Sequence, residues 1–414
     1  MSAPLDKEFL FDAQALRYAV EMMSQHFAPD SRVVIPPTLP EDGVGSLKTL
    51  ERLAPSVLGG ATHLGDATAF AHKDPPTPWV TWATTLWNAS LNQNLLHPET
   101  APVARQMEET VLDWLCPYFG MQGGHMTPGS SAANLTACWA ARECADIKEV
   151  VASEAAHLSI KKAAHILGLA FRAVRVDSTG ALCPDDLPTD LSRSVLVLTS
   201  GTTSVGALDS LGLAGRAAWT HVDAAWGGPL RLTCYADRLS GIEYADSVAV
   251  SSHKWLFQPK ESALIMFRNV AKAHDAISFG GSYLSEPNIG LLGSHGATAI
   301  PLLAMLWSWG RVGLANRIEH CVQMADTLAQ HLSKDSRVEL LGQPQTAIVV
   351  WRPRQAHLVE RIIKQLPAGI ASTVTINNEK WIRHTASNPN ADIVRIISEI
   401  NLVLDHTQEP RSGR

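Results

Sequence analysis

The sequence predicts an α/β protein, with a mostly parallel, doubly wound sheet in a large domain and a small α+β domain at the C-terminus. Between about residues 76 and 325, short β-branched runs alternate with helical stretches, as in the strand–helix–strand units of a parallel sheet. After about residue 326, strands and helices still alternate, but with less hydrophobic continuity. The composition, 46% hydrophobic and 18% charged, is ordinary for a globular protein with a real core.

The elements are expected in the following order. Residues 1–75 form an N-terminal segment, with a helix over 11–27 and a proline-rich extended arm over 31–43. The large domain, 76–325, holds helices at 102–115, 130–145 and 296–325, and strands at 149–153, 172–176, 194–200, 220–225 and 247–252. The small domain, 326–406, holds strands within 337–341, 346–351, 372–376 and 380–385 and helices within 356–366 and 391–404, and a polar tail follows at 407–414.

Composition and charge exclude several classes of function. The net charge is −6 and no basic run occurs, which argues against a nucleic-acid partner. No stretch approaches eighteen apolar residues, and the N-terminus lacks the pattern of a signal peptide, so neither a membrane span nor secretion is expected. The six cysteines show neither a CxxC pair nor metal-ligand spacing, so we expect reduced thiols, no metal site and a cytoplasmic location.

The strongest chemical signal is SSHKWLFQPK (251–260), directly after the apolar strand at 247–252. Lys254 is flanked by Ser-Ser-His and by Trp-Leu-Phe, an unusual setting for a surface lysine. An amine in apolar surroundings has a lowered pKa and can form a Schiff base with an aldehyde. The alternative is a lysine whose stem lies along the end of the sheet while its amine reaches water.

A carboxylate follows another strand, in HVDAAWGG (221–228). Asp223 is expected near the carboxyl edge of the sheet, where α/β folds bind ligands. Pyridoxal 5'-phosphate needs a carboxylate beside its pyridine nitrogen, because the protonated ring accepts electrons better. Taken alone, Asp223 could equally be a helix N-cap.

Two further segments open helices. In MTPGSSAAN (126–134), Gly129, Ser130 and Ser131 offer backbone N–H groups and hydroxyls that could cradle a phosphate, although the same residues form ordinary capping turns. In EAAHLSIKKAAHILG (154–168), His157 begins a helix, and a lone histidine there is also typical of a capping or core residue.

Together with LTSGTTSVGALDSL (198–211), these segments occur in the order found in the group II pyridoxal-phosphate-dependent amino-acid decarboxylases. The sequence resembles that family from about residue 91 to 310, including LNQNLLHPETAPVARQMEETVLDWL (91–115), and more weakly through the C-terminal domain. The spacings from His157 to Asp223 and from Asp223 to Lys254 are close to the family pattern. The resemblance implies the fold-type I architecture of pyridoxal-phosphate enzymes, pyridoxal 5'-phosphate as cofactor, and an L-amino acid as substrate.

The resemblance also implies roles around the cofactor ring. Lys254 would form the internal aldimine, and Asp223 would pair with the pyridine nitrogen. His157 would stack on one face of the ring and Ala225 would pack on the other. Thr203 would lie near the cofactor hydroxyl.

The phosphate would be bound by Ser130 and Ser131, with help from His253 and Ser251. The turn reads Pro-Gly-Ser-Ser, however, where relatives usually have Gly-Gly followed by Thr or Ser. His295 also stands, with the following glycine, where many relatives have arginines.

The residue that indicates decarboxylation is Tyr283, in SFGGSYLSEPN (278–288). Relatives carry a Tyr-Leu pair at this place, and the resemblance implies that the tyrosine protonates the quinonoid carbon after carbon dioxide leaves. A phenol suits that step if a glycine-bearing loop closes and excludes water. The alternative is a loop tyrosine packed on the surface.

Other functions remain open. The first alternative is a carbon–carbon lyase similar to sphingosine-phosphate lyase, or an aminotransferase, and the second is a non-catalytic binding subunit. The resemblance implies a homodimer with shared sites, on which the N-terminal arm could wrap. Acidic or small polar substrates are favoured over aromatic ones. Arg383 could contact a substrate carboxylate, although an exposed arginine on a small-domain strand is the simpler interpretation.

Overall fold

The computed structural model describes residues 7–25, 27 and 35–407 of the 414-residue chain. Two compact units are separated at residue 63: Met1–His63 and Leu64–Arg414.

The first unit contains two short helices, α1 (Ala13–Met22) and α2 (Ser46–Ala54). Helix α1 begins where the carboxylate of Asp12 accepts a backbone N–H bond of 2.9 Å from Gln14. The helix expected over 11–27 is therefore present but shorter. The proline-rich arm expected over 31–43 lies outside the described residues as far as residue 34.

The second unit contains the remaining elements, joined in places by 3-10 turns. Its helices are α3 (Trp79–Leu91), α4 (Ala104–Leu115), α5 (Ser130–Cys144), α6 (Leu158–Ile166), α7 (Val270–Ala276), α8 (Ala299–Ser333), α9 (Val359–Gln365) and α10 (Ile393–Thr407). Its strands are β1 (Gly123–Thr127), β2 (Glu149–Ser153), β3 (Ala170–Val174), β4 (Ser194–Thr199), β5 (Trp219–Asp223), β6 (Ser247–Ser251), β7 (Ala263–Phe267), β8 (Ser278–Phe279), β9 (Asn288–Ile289), β10 (Val338–Leu340), β11 (Ile348–Pro353), β12 (Ser372–Ile376) and β13 (Glu379–Thr385).

The main sheet has seven strands in the order β1-β7-β6-β5-β4-β2-β3, and only β7 runs antiparallel to its neighbours. Side chains alternate between its two faces. On β4, Leu196 and Leu198 enter a cluster that also contains α8 residues, whereas Val195 and Val197 enter a second cluster with α5 residues. Burial on both faces explains the continuous apolar runs of the central strands. This is the mostly parallel, doubly wound sheet that the sequence predicts.

A second sheet follows in the chain, with four antiparallel strands in the order β10-β11-β13-β12. All four of its strands and both of its helices, α9 and α10, coincide with predicted segments. The long predicted helix is α8, but it is interrupted at Gly310, where φ is 61° and ψ is 178°. Only glycine adopts such a conformation at low cost, so the helix changes direction there.

Some boundaries differ from those expected. Strand β3 spans Ala170–Val174 rather than 172–176, because these five residues pair in register with β2. The unit boundary at residue 63 precedes the expected division at 75/76, and the expected division at 325/326 falls inside α8. The separate small domain at 326–406 thus stays a prediction. The tail expected at 407–414 lies outside the described residues from 408 onward.

Within the described part of the chain, no helix combines the length and apolar character that a membrane crossing requires. All six cysteines are free thiols.

Candidate active site

Three neighbouring parallel strands end at one edge of the main sheet, and the candidate residues follow their ends. β4 ends at Thr199, β5 at Asp223 and β6 at Ser251. After β6 the chain turns sharply, because the backbone N–H groups of Ser252 and His253 both donate to the carbonyl of Ser262. This turn brings Lys254 to the same edge as Asp223, as expected for the ligand-binding edge of an α/β sheet.

Asp223 is a buried carboxylate, 4% exposed, with both oxygens bonded. Oδ1 accepts the backbone N–H of Ala225 at 3.1 Å, and Oδ2 accepts the side-chain amide of Asn134 at 3.0 Å. The alternative interpretation as a helix N-cap does not hold, since the next helical turn, Gly228–Leu232, begins after Gly227 and has no side-chain cap. These two hydrogen bonds hold the carboxylate in one orientation.

Asn134 is the centre of a buried network that the sequence analysis did not single out. Its Nδ2 donates to Asp223 and, at 2.9 Å, to the hydroxyl of Ser159; its Oδ1 accepts from Nε2 of His221 at 3.0 Å. Because the amide oxygen can only accept, His221 must carry its proton on Nε2 and accept at Nδ1, 2.9 Å from the hydroxyl of Ser247. The available signal was an amide side chain directly after two alanines in an alanine-rich helix.

The network continues to His157, which caps α6. Its Nδ1 accepts the backbone N–H of Ser159 at 3.3 Å and lies 2.8 Å from the Ser159 hydroxyl. Nδ1 is therefore an acceptor. Burial lowers the pKa of His157, while the carboxylate of Asp223 acts in the opposite direction. His157 is both a capping residue and a half-buried ring near Asp223, so the two interpretations of the sequence are compatible.

Lys254 is half-buried and its amine interacts electrostatically with Asp223. Burial lowers the pKa of Lys254; the carboxylates of Asp223 and Asp74 oppose that change, and Lys260 adds to it. A lysine with a lowered pKa offers more of its neutral, nucleophilic form at neutral pH than a surface lysine does. Lys254 is therefore not a fully exposed surface lysine, and its bond to the cofactor stays a prediction.

The first turn of α5 lies beside the turn that carries Lys254. The hydroxyl of Ser251 donates to that of Ser130 at 3.0 Å, and a Cβ on Gly129 would lie 3.5 Å from the His253 ring. Gly129 has a φ of 98° and precedes a helix N-terminus with no side-chain cap. Ser131, in the same turn, is exposed. Free N–H groups at a helix N-terminus bind anions.

Several buried polar atoms at this edge have no hydrogen-bond partner within the described part of the chain: the hydroxyls of Thr199 and Ser200, and Nδ1 of His253. Burial, and to a lesser extent the charges of Lys260 and Lys254, lower the pKa of His253 to about 4. Unpaired polar atoms around an anion cradle, an amine and a fixed carboxylate fit a flat cofactor that carries a phosphate, an aldehyde and a ring nitrogen.

The turn after β4 brings in the small sheet. Thr203 is exposed, and its carbonyl accepts a hydrogen bond of 3.0 Å from the guanidinium of Arg383 on β13. Arg383 also donates to the hydroxyl of Ser372 at 3.2 Å. It is half-buried, and burial lowers its pKa. The interpretation of Arg383 as an exposed arginine is thus wrong, and it faces the turn after β4.

Lys73 also lies at this edge, and the sequence analysis missed it. Its Nζ donates to the carbonyls of Thr202, at 3.0 Å, and Gly201, at 3.4 Å. It is far from the recognised motifs in the sequence, and no strand or helix contains it, so no periodic signal marked it.

Tyr283 lies apart from these residues. It is 73% exposed, between β8 and β9, and among the described residues no hydrogen bond joins it to Lys254. His295 lies in another cavity of about 340 Å³, near Glu108 and His125. The structure therefore brings Lys254 and His157 near Asp223 and places Ser130 beside Ser251, whereas Tyr283 lies apart. The roles of these residues toward the cofactor stay predictions.

Comparison with known proteins agrees with this geometry. The model of the family described as "Pyridoxal-dependent decarboxylase conserved domain" matches residues 30–354. The L-2,4-diaminobutyrate decarboxylase of Rhizobium meliloti (strain 1021) is 30% identical over 87% of this chain and 83% of its own length. The aspartate 1-decarboxylase of Aliivibrio fischeri (strain ATCC 700601 / ES114) is 25% identical over 76% of this chain and 69% of its own.

Solved structures agree on the fold. The crystal structure of Oryza sativa TDC with PLP and tryptamine superposes with a TM-score of 0.85, at 21% identity, over 98% of this chain and 99% of that one. The predicted fold class is confirmed. Since the family model matches well over half of the residues, the chain belongs to the pyridoxal-dependent decarboxylases and uses pyridoxal 5'-phosphate as its cofactor.

Proposed function

We propose that the protein converts an L-amino acid to the corresponding amine and carbon dioxide, with the cofactor held on Lys254. One observation supports this most directly: the Lys254 amine, with its lowered pKa, and the fixed carboxylate of Asp223 meet at the ends of adjacent parallel strands. The cofactor, when bound, accepts the electron pair that remains on the substrate when a bond to its α-carbon breaks.

The chain's own residues bind and orient the ring. Asp223 holds a proton at the pyridine nitrogen, and its bonds to Asn134 and Ala225 prevent its rotation. His157 and Ala225 would pack against the cofactor ring when it is bound. Thr203, in the turn after β4, would contact the cofactor hydroxyl.

Ser130, Ser131, Ser251 and His253 bind the phosphate. Two of them already contact each other through their hydroxyls, and His253 offers an unpaired Nδ1. The positive end of the α5 dipole adds to this attraction.

Two residues select the reaction. Arg383 faces the turn after β4 and binds the substrate α-carboxylate. This contact orients the bond between the α-carbon and the carboxylate, which is the bond that breaks. Tyr283 lies on the segment between β8 and β9; when this segment closes, its Oη delivers a proton to the α-carbon and its ring excludes water.

The test combines product analysis with chemical trapping. Purified protein with added pyridoxal 5'-phosphate is incubated with each common L-amino acid, and amine and carbon dioxide are measured. Separately, borohydride reduction fixes the cofactor to the protein, and peptide mass spectrometry locates it. We expect the label on Lys254. It should be absent in Lys254→Ala and unchanged in Lys148→Ala, a control at an exposed lysine paired with Asp146.

Each other outcome identifies a specific error. Aldehyde or keto-acid products without amine indicate a carbon–carbon lyase or an aminotransferase. A trapped cofactor with no turnover of any substrate indicates a non-catalytic binding subunit. A label on Lys73 instead of Lys254 overturns the assignment of the amine.

We also propose a homodimer with shared sites. Helix α3 leaves the large apolar side chains of Trp79, Trp82 and Leu86 exposed at helical spacing, and an exposed apolar face of this kind supports an interface with a second copy of the chain. Light scattering should give twice the chain mass, and Trp82→Glu should lower the measured mass toward that of the monomer.

The free cysteines support a reducing compartment such as the cytoplasm, which cell fractionation tests.

A further inference from the structure

Lys73 joins the two sheets of the second unit at the candidate site. The residues just before it are tied to the small sheet: the backbone N–H of Thr385 donates to the carbonyl of Phe70, and the hydroxyl of Ser387 donates to the carbonyl of His72 at 2.8 Å. The amine of Lys73 then reaches the turn after β4 on the large sheet and donates to the carbonyl of Thr202 at 3.0 Å. The segment before Lys73 is thus anchored to the small sheet, and its amine is anchored to the turn after β4.

The surroundings of this amine are unusually positive. Its Nζ lies 5.0 Å from the centre of the Trp226 ring, which gives it an aromatic neighbour but no counter-ion. Burial lowers the pKa of Lys73 well below its usual value; the charges of Lys254 and Arg383 lower it further, and Asp223 opposes this.

The nearby carboxylates are already engaged. Asp74, the next residue, forms an ion pair with Lys260. Both carboxylate oxygens of Asp223 accept hydrogen bonds, from Asn134 and Ala225. Among the described residues, no carboxylate lies within ion-pair distance of Lys73. An amine surrounded by neutral carbonyls, an aromatic ring and other positive groups takes up its proton most readily when a ligand brings negative charge beside it.

We propose that Lys73 is a specificity-determining residue, and that the substrate is an amino acid whose side chain carries a second acidic group. This inference rests on the proposed decarboxylation. Arg383 binds the α-carboxylate and Lys73 binds the side-chain anion. A substrate with a second ammonium group, such as L-2,4-diaminobutyrate, is disfavoured, because it would bring a positive charge beside Lys73 and Arg383.

The experiment compares substrates of opposite side-chain charge in matched variants. The kcat/KM values for L-aspartate, L-glutamate and L-2,4-diaminobutyrate are measured for the wild type, Lys73→Met, Lys73→Arg and the surface control Lys148→Met. For the preferred acidic substrate we expect Lys73→Met to lower kcat/KM by about thirtyfold or more, mainly through KM, as for the loss of one partner of a buried charge pair. Lys73→Arg should recover much of this loss. The surface control Lys148→Met should keep the wild-type kcat/KM.

A second readout is independent of turnover. Calorimetric titration with glutarate, an unreactive dicarboxylate, should show binding to the wild type and weaker binding to Lys73→Met, whereas butyrate should bind both proteins equally weakly. Absorbance titration with pyridoxal 5'-phosphate should give the same cofactor affinity for both.

The outcomes separate the two proposals. If no amine forms from any amino acid, the proposed decarboxylation fails, and glutarate binding still tests Lys73. If amine forms but Lys73→Met keeps the wild-type preference among the three substrates, the inference about Lys73 is wrong. It is also wrong if L-2,4-diaminobutyrate is the best substrate. The same holds if Lys73→Met loses cofactor affinity and its kcat/KM falls by the same factor for all three substrates.

Discussion

Replacing Asn134 with alanine tests the buried network at its centre. Asn134 is 1% exposed and makes three hydrogen bonds, to Asp223, Ser159 and His221. Asn134→Ala deletes all three at once. It leaves Nε2–H of His221 without an acceptor and removes from Asp223 one of the two donors that fix its orientation.

The expected loss follows from the kinds of bond. A hydrogen bond to a charged group contributes about 1.5–3 kcal/mol and one between neutral groups about 1 kcal/mol. One bond of the first kind and two of the second give a loss of roughly 4 kcal/mol in the free energy of unfolding. Since the charged bond also orients Asp223, we expect the affinity for pyridoxal 5'-phosphate to fall by about tenfold or more.

The assay is denaturant unfolding of the cofactor-free protein, followed by tryptophan fluorescence, together with absorbance titration of the cofactor. Thr136→Val is the matched control. This buried threonine lies on the same helix, and its hydroxyl bonds the carbonyl of Ala132 within that helix, at 2.8 Å. The control should lose about 1 kcal/mol and keep its cofactor affinity. If Asn134→Ala behaves like the control in both measurements, the network does not hold Asp223 in place.

Three more predictions follow from the same geometry. Tyr283→Phe should keep the cofactor and lose or divert turnover; full amine production in this variant removes Tyr283 from the mechanism. Burial lowers the pKa of His221 and of His384 to about 4, from a usual value of 6.5. Below pH 6.5 each ring is protonated in the unfolded chain but still neutral in the folded protein. The free energy of unfolding should therefore fall by about 3 kcal/mol for each histidine as the pH falls from 6.5 to 4. Unfolding measured across that range should show the loss, and His384→Gln should reduce it. Gly129→Ala forces a φ of 98° on alanine, costing about 1–3 kcal/mol; its cofactor affinity should fall, and an unchanged affinity contradicts the cradle.

The sequence predicted β2, β4, β5 and β6, because their buried runs are mostly apolar and rich in β-branched residues. It missed β7 (Ala263–Phe267), although that strand is equally buried, and it missed β1, which reads GGHMT. For β1, the reason is visible at Gly124, where a Cβ would lie 1.9 Å from the carbonyl oxygen of Ile265 on β7. The two strands approach too closely for a side chain, so the position requires glycine, a residue that normally indicates the absence of a strand.

In the site, the residues that follow strand ends were predictable and their supports were not. Lys254 and Asp223 follow apolar runs, so their position at the sheet edge could be deduced from local pattern. Asn134 meets Asp223 across 89 residues, and Lys73 meets Thr202 across 129. Such contacts depend on how helices and sheets pack, and a local pattern does not record that.

Helix α5 explains why two of these features occur together. Its first turn holds Ser130 beside Ser251, and Asn134, about one turn later, holds Asp223. One helix, packed on β5, β6 and β7, thereby fixes the phosphate end and the ring-nitrogen end of the proposed cofactor site. The separation of these two ends is then set by helical rise, about 1.5 Å per residue, rather than by a flexible loop. Small residues such as Ala133 and Ala137 are buried in the same cluster as residues of the sheet and let α5 lie close to it, so they are part of how the site is built.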